Sequence, residues 1–143
     1  MSAGINVSGT DSVARLTDTT VLDTRVAGNG AGGIGVVVSA DGYIDAVALT
    51  VDGAKFAGVL ADGARTGVFL RDVDVVRVGR GAIQTVAAGL VAQNGAVTTA
   101  DRARVETPTG IQDLARVVLC PDDHLLVVPL EFNTQLLDAT VEE

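Results

Sequence analysis

The sequence predicts an all-β protein, a compact β-sandwich or β-barrel with short hairpins, and three observations carry that prediction. The pairs Asp41-Gly42, Asp52-Gly53, Asp62-Gly63 and Asn94-Gly95 each lie between short apolar runs rich in Val and Ala. Asn, Asp and Gly tolerate the positive φ that both central residues of a type I′ hairpin turn require. The run Arg71-Asp72-Val73-Asp74-Val75-Val76-Arg77-Val78 alternates polar and apolar residues with the strand period of two. Finally, the aromatic residues number four, Tyr43, Phe56, Phe69 and Phe132, and there is no Trp. The core is therefore left to Val, Ala, Leu and Ile, which fit a pleated surface but bury less area each than aromatic rings do.

Length and charge set the outer bounds. A chain of 143 residues suits one domain able to bury a core without staples. No apolar run reaches the roughly 18 to 20 residues that a membrane helix needs, so a soluble protein with no membrane partner is expected. Residues 1–9 show no basic segment followed by an apolar stretch, the mark of a secretory signal. Cys120 is the sole cysteine, which excludes an internal disulfide and fits a reducing compartment. The net charge of −8, with nine Arg and Lys55 scattered along the chain, argues against nucleic acid as a partner. A core of small side chains gains from burial between subunits, and an oligomer is expected.

Taken in order, residues 1–27 read as a polar N-terminal arm, with an ordinary edge strand as the alternative. A short helix starting at Asp11 or Ser12 is opposed by the threonines that follow. Residues 28–132 read as the β-domain. Gly28-Asn29-Gly30-Ala31-Gly32-Gly33-Ile34-Gly35 contains GxGxxG, but it runs into Val36-Val37-Val38 rather than opening a helix, so it reads as a loop entering a strand, not a phosphate cradle. Residues 35–39 and 43–49 then form a hairpin, Asp52-Gly53 and Asp62-Gly63 close the next turns, and the doubled Val75-Val76 reads as a β-bulge. After a strand at 82–88, Gly89-Leu90-Val91-Ala92-Gln93-Asn94-Gly95 echoes the block that begins at Gly35, though the echo is too short to define a duplicated domain. For residues 109–130 a helix capped by Thr109 and Gln112 competes with a hairpin across Pro121-Asp122-Asp123, and the hairpin is favoured. Residues 133–143 read as a tail or a short helix capped by Asn133.

Candidate chemistry is sparse. Cys120 and His124 flank a tight turn with Asp122 and Asp123 between them, yet one Cys and one His fall short of a zinc set, and no orienting amide or oxyanion loop accompanies them. Asp72 with Asp74, and Asp122 with Asp123, lack the EF-hand spacing and the aromatics of a glycosidase cleft, so they read as solvated strand and turn carboxylates. The GxSxG, HExxH and Walker lysine patterns are absent. The reading is no enzyme, no catalytic residue, no cofactor and no metal.

The strand-and-turn units Val36-Val37-Val38-Ser39-Ala40-Asp41-Gly42-Tyr43-Ile44, Lys55-Phe56-Ala57-Gly58-Val59, 73–78 and Ala87-Ala88-Gly89-Leu90-Val91 resemble, in texture and order, the head decoration or cement proteins of tailed bacteriophages. The resemblance covers residues 35–99 and does not extend over 110–143. It implies a structural virion protein made in the host cytoplasm. Such a protein binds the major capsid protein on the outside of an icosahedral head, as a homotrimer near local three-fold axes, and stabilises the shell. Residues 2–24 would then be an arm that orders on the shell. The alternative is an intracellular β-barrel that binds a ligand or a protein, and a further rival is a small enzyme centred on Cys120 and His124.

Overall fold

The structure, a computed structural model, describes residues 3–27, 32–79, 87–119, 124–127 and 139–142. These residues form eleven strands: β1 (Ala3–Ser8), β2 (Val13–Leu22), β3 (Ile34–Ser39), β4 (Tyr43–Asp52), β5 (Ala57–Asp62), β6 (Gly67–Val76), β7 (Ala88–Gln93), β8 (Val97–Thr107), β9 (Gly110–Leu119), β10 (His124–Val127) and β11 (Ala139–Glu142). The prediction of an all-β sandwich holds. One sheet has the order β1-β3-β5-β7-β10 and the other β11-β9-β8-β6-β4-β2, and both are open rather than closed into a barrel.

The connectivity differs from the hairpins expected. β1, β3, β5 and β7 pair in parallel, as do β2, β4, β6 and β8. Each short strand and the long strand after it therefore form one coil, and four coils stack on one another. The DG and NG turns are real, but they carry the chain across from one sheet to the other. Left-handed residues make the crossing at Asp11, Ala40 with Asp41, Arg65, and Asn94 with Gly95. Turn then stacks on turn, with Tyr43 N donating to Ser12 O, Gly67 N to Gly42 O and Val97 N to Thr66 O. Short and long strands thus face each other through their side chains instead of sharing backbone hydrogen bonds. Among the described residues the one hairpin between consecutive strands is β8–β9, closed at Thr107 and Gly110.

Other expectations are corrected in the same way. Residues 3–22 are not an arm; they form the first coil, lying parallel on β3 and β4, because Ile5, Val7, Ala14 and Leu16 pack against the common core. Asp11 sits in a turn and residues 13–22 are a strand, so no helix starts there. Residues 110–119 are strand, and β9 and β10 lie in different sheets, so they are not paired as a hairpin. At the C-terminus 139–142 pair with β9 as a strand; the helix expected from Asn133 otherwise falls on residues outside those described, as do 82–86 of the expected strand at 82–88. Val75 and Val76 pair one-to-one with Val51 and Asp52, so no bulge falls there; the alternation breaks instead at Asp72, where φ is 55° and Arg71 and Asp72 face outward together.

Each long strand repeats one pattern of inward residues: Ala14, Leu16, Thr19 and Val21; Ile44, Ala46, Leu49 and Val51; Val68, Leu70, Val73 and Val75; Thr98, Ala100, Ala103 and Val105. The extra outward residue in the middle adopts left-handed φ at Asp18, Ala48, Asp72 and Arg102, four bulge-like kinks that face one another one-to-one down the sheet. Facing them, Val36, Val38, Val59, Ala61, Leu90 and Ala92 complete the main core. The opposite face of the short-strand sheet is also buried, with Ile34, Val37, Leu60 and Val91 forming a second cluster.

A glycine ladder sets how closely the two sheets approach. A Cβ on Gly35 would stand 2.2 Å from Val51 Cγ1 and 2.6 Å from Gly58 O, and one on Gly58 would meet Val75 Cγ1 at 2.2 Å and Gly89 O at 2.8 Å. Gly4 and Gly89 stand in the same relation to Val21 and Val105. Each coil therefore spends one side chain on the short strand so that the valine opposite fills the gap, at interior packing density. The echo between Gly35 and Gly89 is this coil repeat.

Candidate functional site

The outer face of the long-strand sheet carries the densest array of functional groups among the described residues. The register places Arg102 beside Asp72, Arg104 beside Asp74 and Asp113 beside Arg104, because the kinks keep outward positions aligned from coil to coil. Arg102 grips Asp72 with two nitrogens, Nε to Oδ1 and Nη2 to Oδ2 at 2.6 Å. Arg71 reaches diagonally back to Asp45 at 3.1 Å, Arg77 to Asp52 at 2.5 Å and Arg65 to Asp41 at 2.5 Å. Arg104 lies 3.6 Å from Asp74 and 3.3 Å from Glu106, and Arg116 lies 3.8 Å from Asp101. Apart from Arg104–Glu106, every pair joins two strands or two turns of different layers, so the ladder laces the stack along its axis.

Asp52 and Asp72 are held below the usual carboxylate range, in each case chiefly by the hydrogen bond from the arginine, Arg77 and Arg102 respectively. The same bonds raise the two guanidinium groups. Between these pairs runs an open groove of about 540 Å³ lined by Ala48, Asp72, Asp74, Arg102, Arg104 and Asp113, among others. In it Arg102 holds Asp72 and Arg104 lies against Asp74, with Asp113 beside Arg104 in the register, so the groove presents polar and charged groups to a surface. Beside it Tyr43 and Phe69 pack at 5.6 Å with rings tilted by 34°. The Tyr43 ring also lies over Gly67, where a Cβ would meet Cδ2 at 2.9 Å, covering the gap that glycine leaves in a strand.

The residues singled out in the sequence fall as follows. Asp72 and Asp74 are exposed on β6, as expected from alternation, but as anchors for arginines of β8. His124 begins β10, paired with Gln93; Cys120, Asp122 and Asp123 lie outside the described residues. Of the glycine-rich segment, Gly32 and Gly33 have positive φ, and Gly33 O accepts the N–H groups of Lys55 and Phe56. Gly33 thus stacks on the next return loop, and Ile34 and Gly35 already belong to β3; residues 28–31 lie outside those described. Among the described residues no three His, Cys, Asp or Glu side chains gather as a metal set. The arginine ladder itself was missed; its signal was the outward pairs Arg71-Asp72 and Asp101-Arg102, one coil apart and opposite in order.

The fold and this face define a short stack of parallel β-coils with a charge-laced outer surface. No protein-family model, curated protein or solved structure matches the chain.

Proposed function

We propose that the protein is a structural decoration protein that binds the major capsid protein on the outside of an icosahedral phage head, as a homotrimer near local three-fold axes, and stabilises the shell. The observation that carries this reading is the construction of the stack. The block that resembles the cement proteins, residues 35–99, falls on the inner coils, where Ile44, Leu49, Val51, Val68, Val75 and Leu90 are fully buried. The glycine ladder and the arginine pairs lock these coils to their neighbours. A scaffold of this kind transmits load along its axis with little compliance, because close-packed interiors resist compression. Function then resides in surfaces rather than in a reactive cleft.

The test is co-sedimentation of the purified protein with capsids stripped of decoration. Saturable binding at a fixed ratio to the major capsid protein, with a raised capsid melting temperature, is expected. Capsids that neither retain the protein nor gain stability would sink the proposal. Cys120→Ser separates the enzyme rival, since a decoration protein binds shells unchanged by that substitution.

A further inference from the structure

Among the described residues, no strand lies outside the first coil. In both sheets the N-terminal coil supplies the edge strand, β1 and β2. Its inward residues Ile5, Val7, Ala14 and Leu16 are only partly buried, whereas Val36, Val38, Ile44 and Ala46, their counterparts one coil on, are completely covered. Repeat stacks ordinarily close such an end with a capping unit. Long edges are ordinarily blunted by proline, lysine or shortening. β2 has ten residues and neither proline nor lysine; its edge carries only Arg15, Asp18 and the kink at Asp18.

The backbone of β2 shows which groups are on offer. Tyr43 N donates to Ser12 O, and Asp23 N donates to Asp52 O. Alternation from these two ends turns the backbone of residues 12, 14, 16, 19, 21 and 23 toward β4. It turns that of Val13, Arg15, Thr17, Thr20 and Leu22 outward. The kink at Asp18 makes this order read the same from either end of the strand. Side-chain facing is palindromic as well, with Ala14 and Leu16 inward on one side of the kink and Thr19 and Val21 inward on the other.

We propose that two copies of this chain join through antiparallel pairing of their β2 strands about a two-fold axis between Thr17 and Asp18. Val13 then faces Leu22 of the second copy, and Arg15 faces Thr20. Both contacts bring outward backbone groups together and keep every inward residue over a continuous core. Val13 and Leu22 are 61% and 63% exposed in the single chain, and the pairing sets each against the other. Arg15 stands diagonally across from Asp18 of the second copy, the arrangement by which Arg71 already holds Asp45 between adjacent coils. A self-complementary edge selects a second copy over an unrelated strand because a two-fold contact must satisfy the same residues twice.

The experiment is sedimentation equilibrium of the full chain over a range of concentrations, on wild type, Thr20→Pro, Arg15→Asp and the double variant Arg15→Asp/Asp18→Arg. Proline at position 20 removes only an outward N–H, so the fold is expected to persist by circular dichroism. The wild-type mass is expected to be double that of Thr20→Pro, whose self-affinity falls about tenfold or more through two lost hydrogen bonds. Arg15→Asp weakens pairing and the added Asp18→Arg restores it. The comparison is between wild type and a variant of the same chain, so it stands apart from the capsid proposal: a monomer carries one such edge and doubles, while a trimer carries three and at least doubles. A wild-type mass equal to that of a folded Thr20→Pro variant, or charge variants that both leave the mass unchanged, would overturn the inference.

Discussion

The two ends of the coil stack solve the edge problem in different ways. At the C-terminal end the chain reverses: β9 turns back antiparallel on β8, β10 lies antiparallel on β7 and β11 antiparallel on β9. At the N-terminal end the stack stops in mid-pattern, with a ten-residue strand whose register would accept another layer. The contrast teaches that one end terminates the fold while the other continues its geometry outward.

The largest test of that contrast compares two leucines. Leu114, 2% exposed beneath the reversing end, should cost about 3 kcal/mol on substitution by Ala, whereas half-covered Leu16 should cost about 1 kcal/mol in the single chain. Denaturant midpoints measure both, and equal losses would mean that the first coil is as closed as the last. The glycine ladder sharpens the point. Gly89→Ala would set a Cβ 2.1 Å from Val105 Cγ1 in a fully buried layer, and Gly4→Ala one 2.4 Å from Val21 Cγ1 at the open layer. A loss of about 3 kcal/mol is expected for the first and about 1 kcal/mol for the second, since the outer coil has room to shift.

A smaller effect of opposite sign lies in the fourth coil. Thr98 is fully buried, at the level of Ile44 and Val68, and its hydroxyl finds no hydrogen-bond partner among the described residues. Thr98→Val should therefore raise stability by about 1 kcal/mol, read from the same midpoints. Smallest of all is the acid response of the ladder. Asp52 and Asp72 have folded pKa values below their unfolded ones. Their contribution is present in full above the ordinary carboxylate range and is lost as pH falls through it toward the folded values. Arg102→Gln should flatten the stability curve below about pH 4 relative to wild type and leave its slope near neutrality unchanged; an unaltered acid limb would show that the pair contributes nothing.

Much of this was legible. Asp41-Gly42, Asp62-Gly63 and Asn94-Gly95 marked turns, Val73 and Val75 marked an inward face, and the Val and Ala content marked a core without aromatics. The arginine ladder was not legible, because Asp72 meets Arg102 only after two long strands align in parallel. The coil repeat was partly hidden by its return connections, residues 23–33, 53–56 and 77–87, whose unequal lengths defeat a fixed period.

By itself the sequence determined that the chain is β, where it turns and which residues are apolar, since these follow from φ preference and side-chain period. The tertiary structure decided that each turn crosses between sheets. An Asp-Gly pair permits the reversal either way; the choice rests on whether neighbouring strands gain more from sharing hydrogen bonds or from facing valine across glycine. In this chain Gly35 against Val51 and Gly58 against Val75 favour the second, and the strands stack as four coils instead of pairing as successive hairpins.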